Sequence, residues 1–402
     1  MSRDEKRAGV SLAAIFALRM LGLFLILPVF TVHAATLPGG DNLTLVGLAM
    51  GAYGLTQALF QIPFGMASDV FGRKKVIVIG LLLFAAGSAI AALAVSIEWI
   101  IVGRVVQGAG AISAAVTALA ADLTREQHRT KVMAMIGSSI GLVFALSLVA
   151  APALYALIGM AGIFWLTAVL AIGAIGLLLR AVPPAPTFEP GPPVPFHEVL
   201  GDTRLLRLNF GIFTLHMVQM AMFVVVPRLL VENGSLPLAQ HWQIYLPAVL
   251  ASFVLMIPAI IYAERHGKVK MVFVSAVLLL LLTELGFVAG SNSLVALAAA
   301  LLSFFVAFNI LEATLPSLIS RIAPPRAKGA ALGVYNTTQA IGLFLGGVGG
   351  GWLAKNHGAG SVFLASAGLV GIWFVLAAFM PPVVSRQTTS DAPPHGILDG
   401  GS

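Results

Sequence analysis

Long apolar runs separated by short polar breaks fill this chain almost from end to end. The runs fall at about 10–33, 43–68, 75–96, 98–122, 131–158, 161–182, 205–231, 241–264, 269–290, 293–320, 329–354 and 360–380. Each is near or above the ~20 residues a helix needs to cross a bilayer core. The pattern predicts twelve membrane-spanning helices and an all-α integral membrane protein. The first run follows Arg3, Lys6 and Arg7, and Val32-His33-Ala34 loosely resembles a processing site. The run from Ala8 to Phe30 is longer than the ~7–15-residue core of a signal peptide and contains Arg19, so it reads as an uncleaved first span.

One break differs from the rest. Val182-Pro183-Pro184-Ala185-Pro186 and Pro190-Gly191-Pro192-Pro193-Val194-Pro195 cannot continue a helix and predict a stiff, extended connector. It divides the chain into a six-helix bundle over 1–182, a linker over 183–204 and a second six-helix bundle over 205–381. A polar tail over 382–402 is expected to be disordered. The halves echo each other. Pro63, Asp69, Gly72 and Lys75 align with Pro258, Glu264, Gly267 and Lys270 at a constant offset, and Arg129-Thr130-Lys131 is echoed by Arg326-Ala327-Lys328. Parallel six-span repeats about an axis along the membrane normal are a transporter plan.

Charge fixes the orientation. The chain has 402 residues, of which 59% are hydrophobic and only 10% charged, with a mean hydropathy of +0.98. Nineteen of its 23 Lys and Arg fall in alternate breaks that include both ends, while Arg228 and Lys355 lie in the opposite set and Arg19 and Arg104 lie inside spans. Cations gather on the cytoplasmic side of membrane proteins, so both termini are expected there. Adding or removing one span would break the alternation. The net charge of +7 lies in short loops and not along one polar face, which argues against nucleic acid. With no cysteine there is no disulfide framework and no Cys-based metal site. No phosphate-binding Gly-rich loop ending in Lys-Ser/Thr and no His-Glu-x-x-His occurs, so no cofactor or metal is expected, and an ion or substrate gradient must supply the energy.

Gly65–Lys75 places an acid, a turn glycine and three consecutive cations between two long apolar runs. Gly65 allows close helix approach, and Gly72 permits a backbone with φ > 0. Asp69 sits at a helix end, within reach of Arg73, Arg129 or the positive N-terminus of another helix. Lys74 and Lys75 read as topology markers only. Four ionisable residues lie within spans: Arg19, Arg104, His216 and Glu312. Each is a functional candidate, because an unpaired charge in hydrocarbon costs at least ~2.5–3.5 kcal/mol. Glu284, near the outer end of the ninth span, reads as a snorkelling side chain. Polar residues share helix faces: Tyr53, Gln57 and Gln61; Asn209, His216 and Gln219; Asn309 and Glu312; Tyr335 with Asn336 beside it and Gln339. Together these faces read as the lining of a substrate cavity. Phe60, Phe64, Phe213, Phe304 and Phe305 add apolar surface, and Gly342, Gly346 and Gly350, with Gly347 and Gly351, read as close-packing positions.

Gly65-x-x-x-Asp69-x-x-Gly72-Arg73-Lys74 resembles the loop signature of the major facilitator superfamily, and Arg104-Val105-Val106-Gln107-Gly108-Ala109-Gly110 resembles its fourth-span motif. Leu21-Gly22 with Pro28-Val29 resembles the first span of the drug:proton antiporter branch, although the fifth span carries Ala151-Pro152 where that branch has a Gly-Pro pair. Leu18–Gly22, Tyr53–Gln57, Asp122–Gln127 and Leu315–Ser320 resemble the YajR-like transporters of bacteria, here without a C-terminal soluble domain. The resemblance implies a bacterial inner-membrane monomer whose partners are protons, lipid and a small-molecule substrate. It implies that Asp69, Arg73 and Asp122 latch the loop to the start of span eleven, near Gly329–Gly333, in the outward-open state. It also places the four charged spans around a central cavity. Glu312 is the leading proton carrier, since burial disfavours a carboxylate's charge and a nearby cation favours it. The alternative for Glu312 is a fixed ion pair to Arg19. His216, whose ring titrates near ~6.5 when unperturbed, reads as a second proton site or as a hydrogen-bonded cavity histidine. Arg104 reads as a structural or coupling arginine. The expected activity is secondary active transport by alternating access, as proton-coupled efflux of amphipathic or cationic small molecules and not as an enzyme. A metabolite facilitator or symporter and a non-transporting receptor on the same fold are the alternatives.

Overall fold

The computed structural model describes residues 1–183, 196–324 and 327–381, and among them every regular element is helical. The first half contains α1 (Arg3–Phe24), α2 (Leu27–Ala34), α3 (Leu43–Phe71), α4 (Arg73–Ala92), α5 (Ile97–Ala109), α6 (Ser113–Asp122) and α7 (Glu126–Ala181). After the short α8 (Phe196–Gly201), the second half contains α9 (Thr203–Glu232), α10 (Trp242–Arg265), α11 (Val269–Gly290), α12 (Leu294–Ile322), α13 (Lys328–His357) and α14 (Ala359–Ala378).

Helix ends follow local chemistry. Ser2 and Glu5 cap α1 reciprocally, each side chain taking the other's backbone N–H. Asp202 caps α9 and also accepts from the Arg204 guanidinium, a charge-assisted bond that holds the Asp202 carboxyl below the usual carboxylate range. Pro28 lies in the first turn of α2, so the first predicted span is broken at Leu25–Ile26 into α1 and α2. The fourth span is likewise broken, at Gly110–Ile112, into α5 and α6.

Among the described residues, ten helical segments, with α1–α2 and α5–α6 each counted as one, are long and apolar enough to cross a membrane. Two features reconcile this with twelve crossings. The 56-residue α7 is far longer than one crossing needs and turns at Gly159 (φ 66°), a left-handed backbone that suits glycine. The glycine-rich α13, with its polar Tyr335, Asn336 and Gln339, is absent from the ten, yet it packs centrally against α3 and α9. The described part of the connector includes the short helix Phe196–Gly201. Its proline-rich part, 184–195, and the tail beyond Pro381 lie outside the described residues.

Up-and-down helices place the ends of α1, α3 and α14 and the cation-rich turns on one face, called here the basic face. One core cluster lies wholly in the first half, around Leu12, Ile77, Val116 and Ile136. The larger one fills the second half and takes in Leu25–Leu27, Phe144 and Leu148 from the first. The halves meet away from the basic face. A Cβ at Gly47 would strike the Gly347 carbonyl, and one at Gly351 would strike that of Leu43. Toward the basic face, α3 exposes Met66, Val70 and Phe71, and nothing lies within 4 Å of a Cβ built at Gly329 or Gly333. The molecule is therefore closed at the opposite face and open at the basic one.

Candidate functional site

The charged turn between α3 and α4 is built around Arg73. Gly72 sits at φ 94°, outside the range of ordinary side chains, and reverses the chain so that Arg73 begins α4. Arg73 Nε donates to Asp122 Oδ2 at 2.9 Å and Nη1 to Ser68 Oγ at 2.7 Å, and the guanidinium pairs with Asp69. Ser68 in turn donates to the Gly65 carbonyl at 2.7 Å, and a Cβ at Gly65 would approach Ala114 to 3.3 Å. Arg73 and Asp122 are nearly buried, whereas the Asp69 side chain is 50% exposed. With the basic face open, Asp69 bonds within its own turn and Gly329 and Gly333 stand apart from it. Lys74 does more than mark topology: its Nζ donates to the Val182 carbonyl at 2.6 Å, at the end of α7. In the second half the charges are exchanged. The loop supplies the acid, Glu264, and the end of α12 supplies Arg321, 2.6 Å away.

Deeper in the first half, two buried arginines flank Tyr53, their guanidinium carbons 5.7 Å (Arg19) and 5.1 Å (Arg104) from its ring centre. Arg19 donates to the Tyr53 hydroxyl, to Ser113 Oγ at 3.3 Å and to the Gly110 carbonyl at 3.3 Å. The break between α5 and α6 frees that last carbonyl from its helical partner. Arg104 donates to the Ala49 and Met50 carbonyls, each at 3.3 Å, and to Gln107 Oε1 at 2.8 Å, and Gln107 passes its amide N–H to Ser88. Arg19 thus finds its hydrogen-bond partners within its own half, its Nε left without one, and among the described residues it forms no ion pair with Glu312. Tyr53 and Gln61 are each 2% exposed, so this face of α3 points into protein.

The second-half candidates do come together. His216 Nε2 lies 2.6 Å from Gln339 Nε2 and 3.8 Å from Glu312 Oε2, while Nδ1 lies 3.3 Å from the Ile212 carbonyl. The assignment that satisfies both hydrogen bonds is a neutral ring: Nδ1–H donates to Ile212, and Nε2 accepts from Gln339, which leaves Glu312 without a bond to the ring. A proton on Nε2 requires the Gln339 amide to turn its oxygen to the ring, and the imidazolium then faces the Glu312 carboxylate. Glu312 Oε2, the Tyr335 hydroxyl and both polar atoms of Asn209 are buried without a hydrogen-bond partner among the described residues, as are the Gln57 oxygen and both amide atoms of Gln61. A buried polar group left unsatisfied costs about 1–3 kcal/mol. Groups of this kind on α3, α9, α12 and α13 suit a chamber that binds a polar solute. Asn309 turns instead to α10, donating to Ser252 Oγ at 2.9 Å. Asn336 is half-buried, and Gln219 is buried beyond His216 on α9.

Glu284 departs from its expected snorkelling position. It is 0% exposed and neither oxygen has a partner among the described residues, because α11 packs that face against α12 and α14. Sequence reasoning also missed Ser113, Gln107 and Ser252, which partner the arginines and Asn309. Only Gln107, three residues after Arg104 on the same helix face, carried a local signal.

Over residues 12–261 and 208–397 the sequence matches the family described as Major Facilitator Superfamily. It is 47% identical over 392 residues to the inner membrane transport protein YajR of Escherichia coli K12, covering 96% of this chain and 86% of that protein. It is 28% identical over 342 residues to the multidrug resistance protein MdtH of Aeromonas hydrophila subsp. hydrophila, covering 83% and 84%. Among solved structures, the human organic anion transporter MFSD10 superposes with a TM-score of 0.70 at 20% identity, covering 94% of this chain and 100% of that one.

Proposed function

The chain belongs to the Major Facilitator Superfamily of multi-pass membrane transporters, and on that premise we propose that it exchanges protons for small amphipathic or cationic molecules, exporting them by alternating access. The two halves rock about the chamber between them. The basic face is cytoplasmic, following the cation bias, in a bacterial inner membrane. The carrying observation is the buried Glu312 Oε2, without a hydrogen-bond partner among the described residues and 3.8 Å from His216. A carboxyl so placed can hold a proton or meet a cationic solute, and those occupancies exclude each other. When the chamber opens outward, Glu312 takes a proton and loses its attraction for the solute. When it opens inward, the proton leaves to the cytoplasm and the carboxylate binds the next cation. His216 and Gln339 shape this exchange through the amide turn. Arg19 and Arg104 hold the first-half wall around Tyr53. The likeness to MdtH, a multidrug resistance protein, supports the direction and the solute class.

The test uses inverted membrane vesicles. Accumulation of a cationic dye is expected to collapse when the pH gradient is dissipated, and Glu312→Gln is expected to abolish gradient-driven accumulation at unchanged expression. Normal accumulation by Glu312→Gln returns Glu312 to a structural role and overturns the reading.

A further inference from the structure

Five phenylalanines drawn from both halves meet beside the His216–Glu312 pair. Phe144 of α7 is at their centre, its ring 5.1 Å from that of Phe24 (α1), 5.7 Å from Phe308 and 6.2 Å from Phe305 (both α12), and 6.4 Å from Phe223 (α9). Phe304 stacks on Phe308 at 5.9 Å and backs the group. Phe144 is 7% exposed, Phe308 5%, Phe305 1% and Phe223 0%, so the contact between the halves is buried, with Phe24 half-buried at its edge. The Phe308 ring lies 5.7 Å from that of His216.

The cluster occupies a definite level. Along α9, Phe223 is about two turns farther from the basic face than His216. Along α12, Phe305 and Phe308 are about one to two turns farther than Glu312. Beyond the rings, Thr31 of α2 donates to the Phe223 carbonyl at 3.0 Å, another contact between the halves. The rings therefore stand between the polar chamber and the closed opposite face.

An exchanger loses its gradient if protons cross without solute. A proton needs a file of water or polar groups, and a constriction lined by apolar side chains excludes that file. We propose that Phe144, with Phe24, Phe223, Phe305 and Phe308, forms an aromatic septum that stops protons passing between the Glu312–His216 pair and the opposite face while the basic face is open. Phe144 is the keystone because its ring touches both halves, so their rocking must part it from Phe223, Phe305 and Phe308. The need for such a seal rests on the proton-exchange reading. The barrier itself is measurable without any solute.

Purified protein is reconstituted into liposomes holding a pH-sensitive dye, a pH step is imposed, and the passive proton leak is read. Phe144→Ala is expected to raise the leak well above that of the wild type, because a hydrophobic constriction gates by dewetting, and Phe144→Leu, which restores apolar bulk, to return it to the wild-type level. The leak is expected to persist in the Phe144→Ala/Glu312→Gln double variant, since it runs through water and needs no carrier. An unchanged leak in monodisperse Phe144→Ala overturns the septum, and so does a leak that Glu312→Gln abolishes, which marks a slipping carrier. Phe308→Ala replaces Phe144→Ala if the latter fails to reconstitute, with the same two outcomes. Solute exchange by Glu312→Gln alone does not enter this measurement, so failure of the exchange reading is seen separately.

Discussion

At the residue scale, Asp69 and Asp122 flank the same guanidinium in different surroundings. The Arg73–Asp122 contact is 12% and 9% exposed, so losing its acid leaves a nearly buried cation with only the half-exposed Asp69 and the Ser68 hydroxyl. Asp122→Asn is expected to lower stability by about 1–3 kcal/mol, seen as a lower melting temperature in detergent. Asp69 is half exposed and pairs with Arg73 one turn away, a geometry worth about 1 kcal/mol or less. Asp69→Asn should therefore melt near the wild type and still lose transport, because its proposed partner is the start of α13 in the other conformation. Equal destabilisation by both variants would count against a state-dependent latch. The residue types of this turn were legible because topology needs cations but not an acid. The Arg73–Ser68 bond was not legible, since a serine in an apolar run has no pattern of its own.

At the element scale, α13 joins the halves. One of its edges lies on α9, where a Cβ at Gly346 would strike the Met217 carbonyl, and the other lies on α3, where a Cβ at Gly347 would strike that of Gly47. Backbone packed on backbone leaves no room for a side chain. Gly347→Val should push α3 and α13 apart, costing about 1–3 kcal/mol by overpacking, and favour the form open at the opposite face. Since the chain has no cysteine, Gln339→Cys provides a clean probe. Its labelling by an impermeant maleimide added outside cells should rise several-fold with Gly347→Val, and unchanged labelling would show that this contact does not set the state. The four-residue glycine spacing showed that something packs closely on this helix. Two adjacent stripes serving two different partners became visible only when α13 was seen between them.

At the scale of the whole molecule, alternating access requires surfaces that are apart in one state to meet in the other. Val70 is 78% exposed on α3, and none of the described residues lies within 4 Å of a Cβ built at Gly329 on α13. A Val70→Cys/Gly329→Cys pair should be bridged by a short bifunctional maleimide during cycling, and bridging should stop transport. Full transport by the bridged protein would rule out closure between these helices.

The sequence alone determined the helical membrane class of the protein and the clustering of its cations, on which the proposed orientation rests. Those properties come from run length, hydropathy and charge, which act locally and survive without knowledge of contacts. It also determined the family resemblance, carried by the Gly65–Lys74 and Arg104–Gly110 stretches, and it singled out His216 and Glu312, because a titratable group in an apolar run stands out wherever it points. Only the tertiary structure decided which of these residues meet. It tied Arg19 to Tyr53 and not to Glu312, buried Glu284, and gathered Phe24, Phe144, Phe223, Phe305 and Phe308 into one cluster. The physical reason is shared. A side chain's partner depends on the azimuth and depth of several helices at once, and apolar runs of similar composition leave both unspecified.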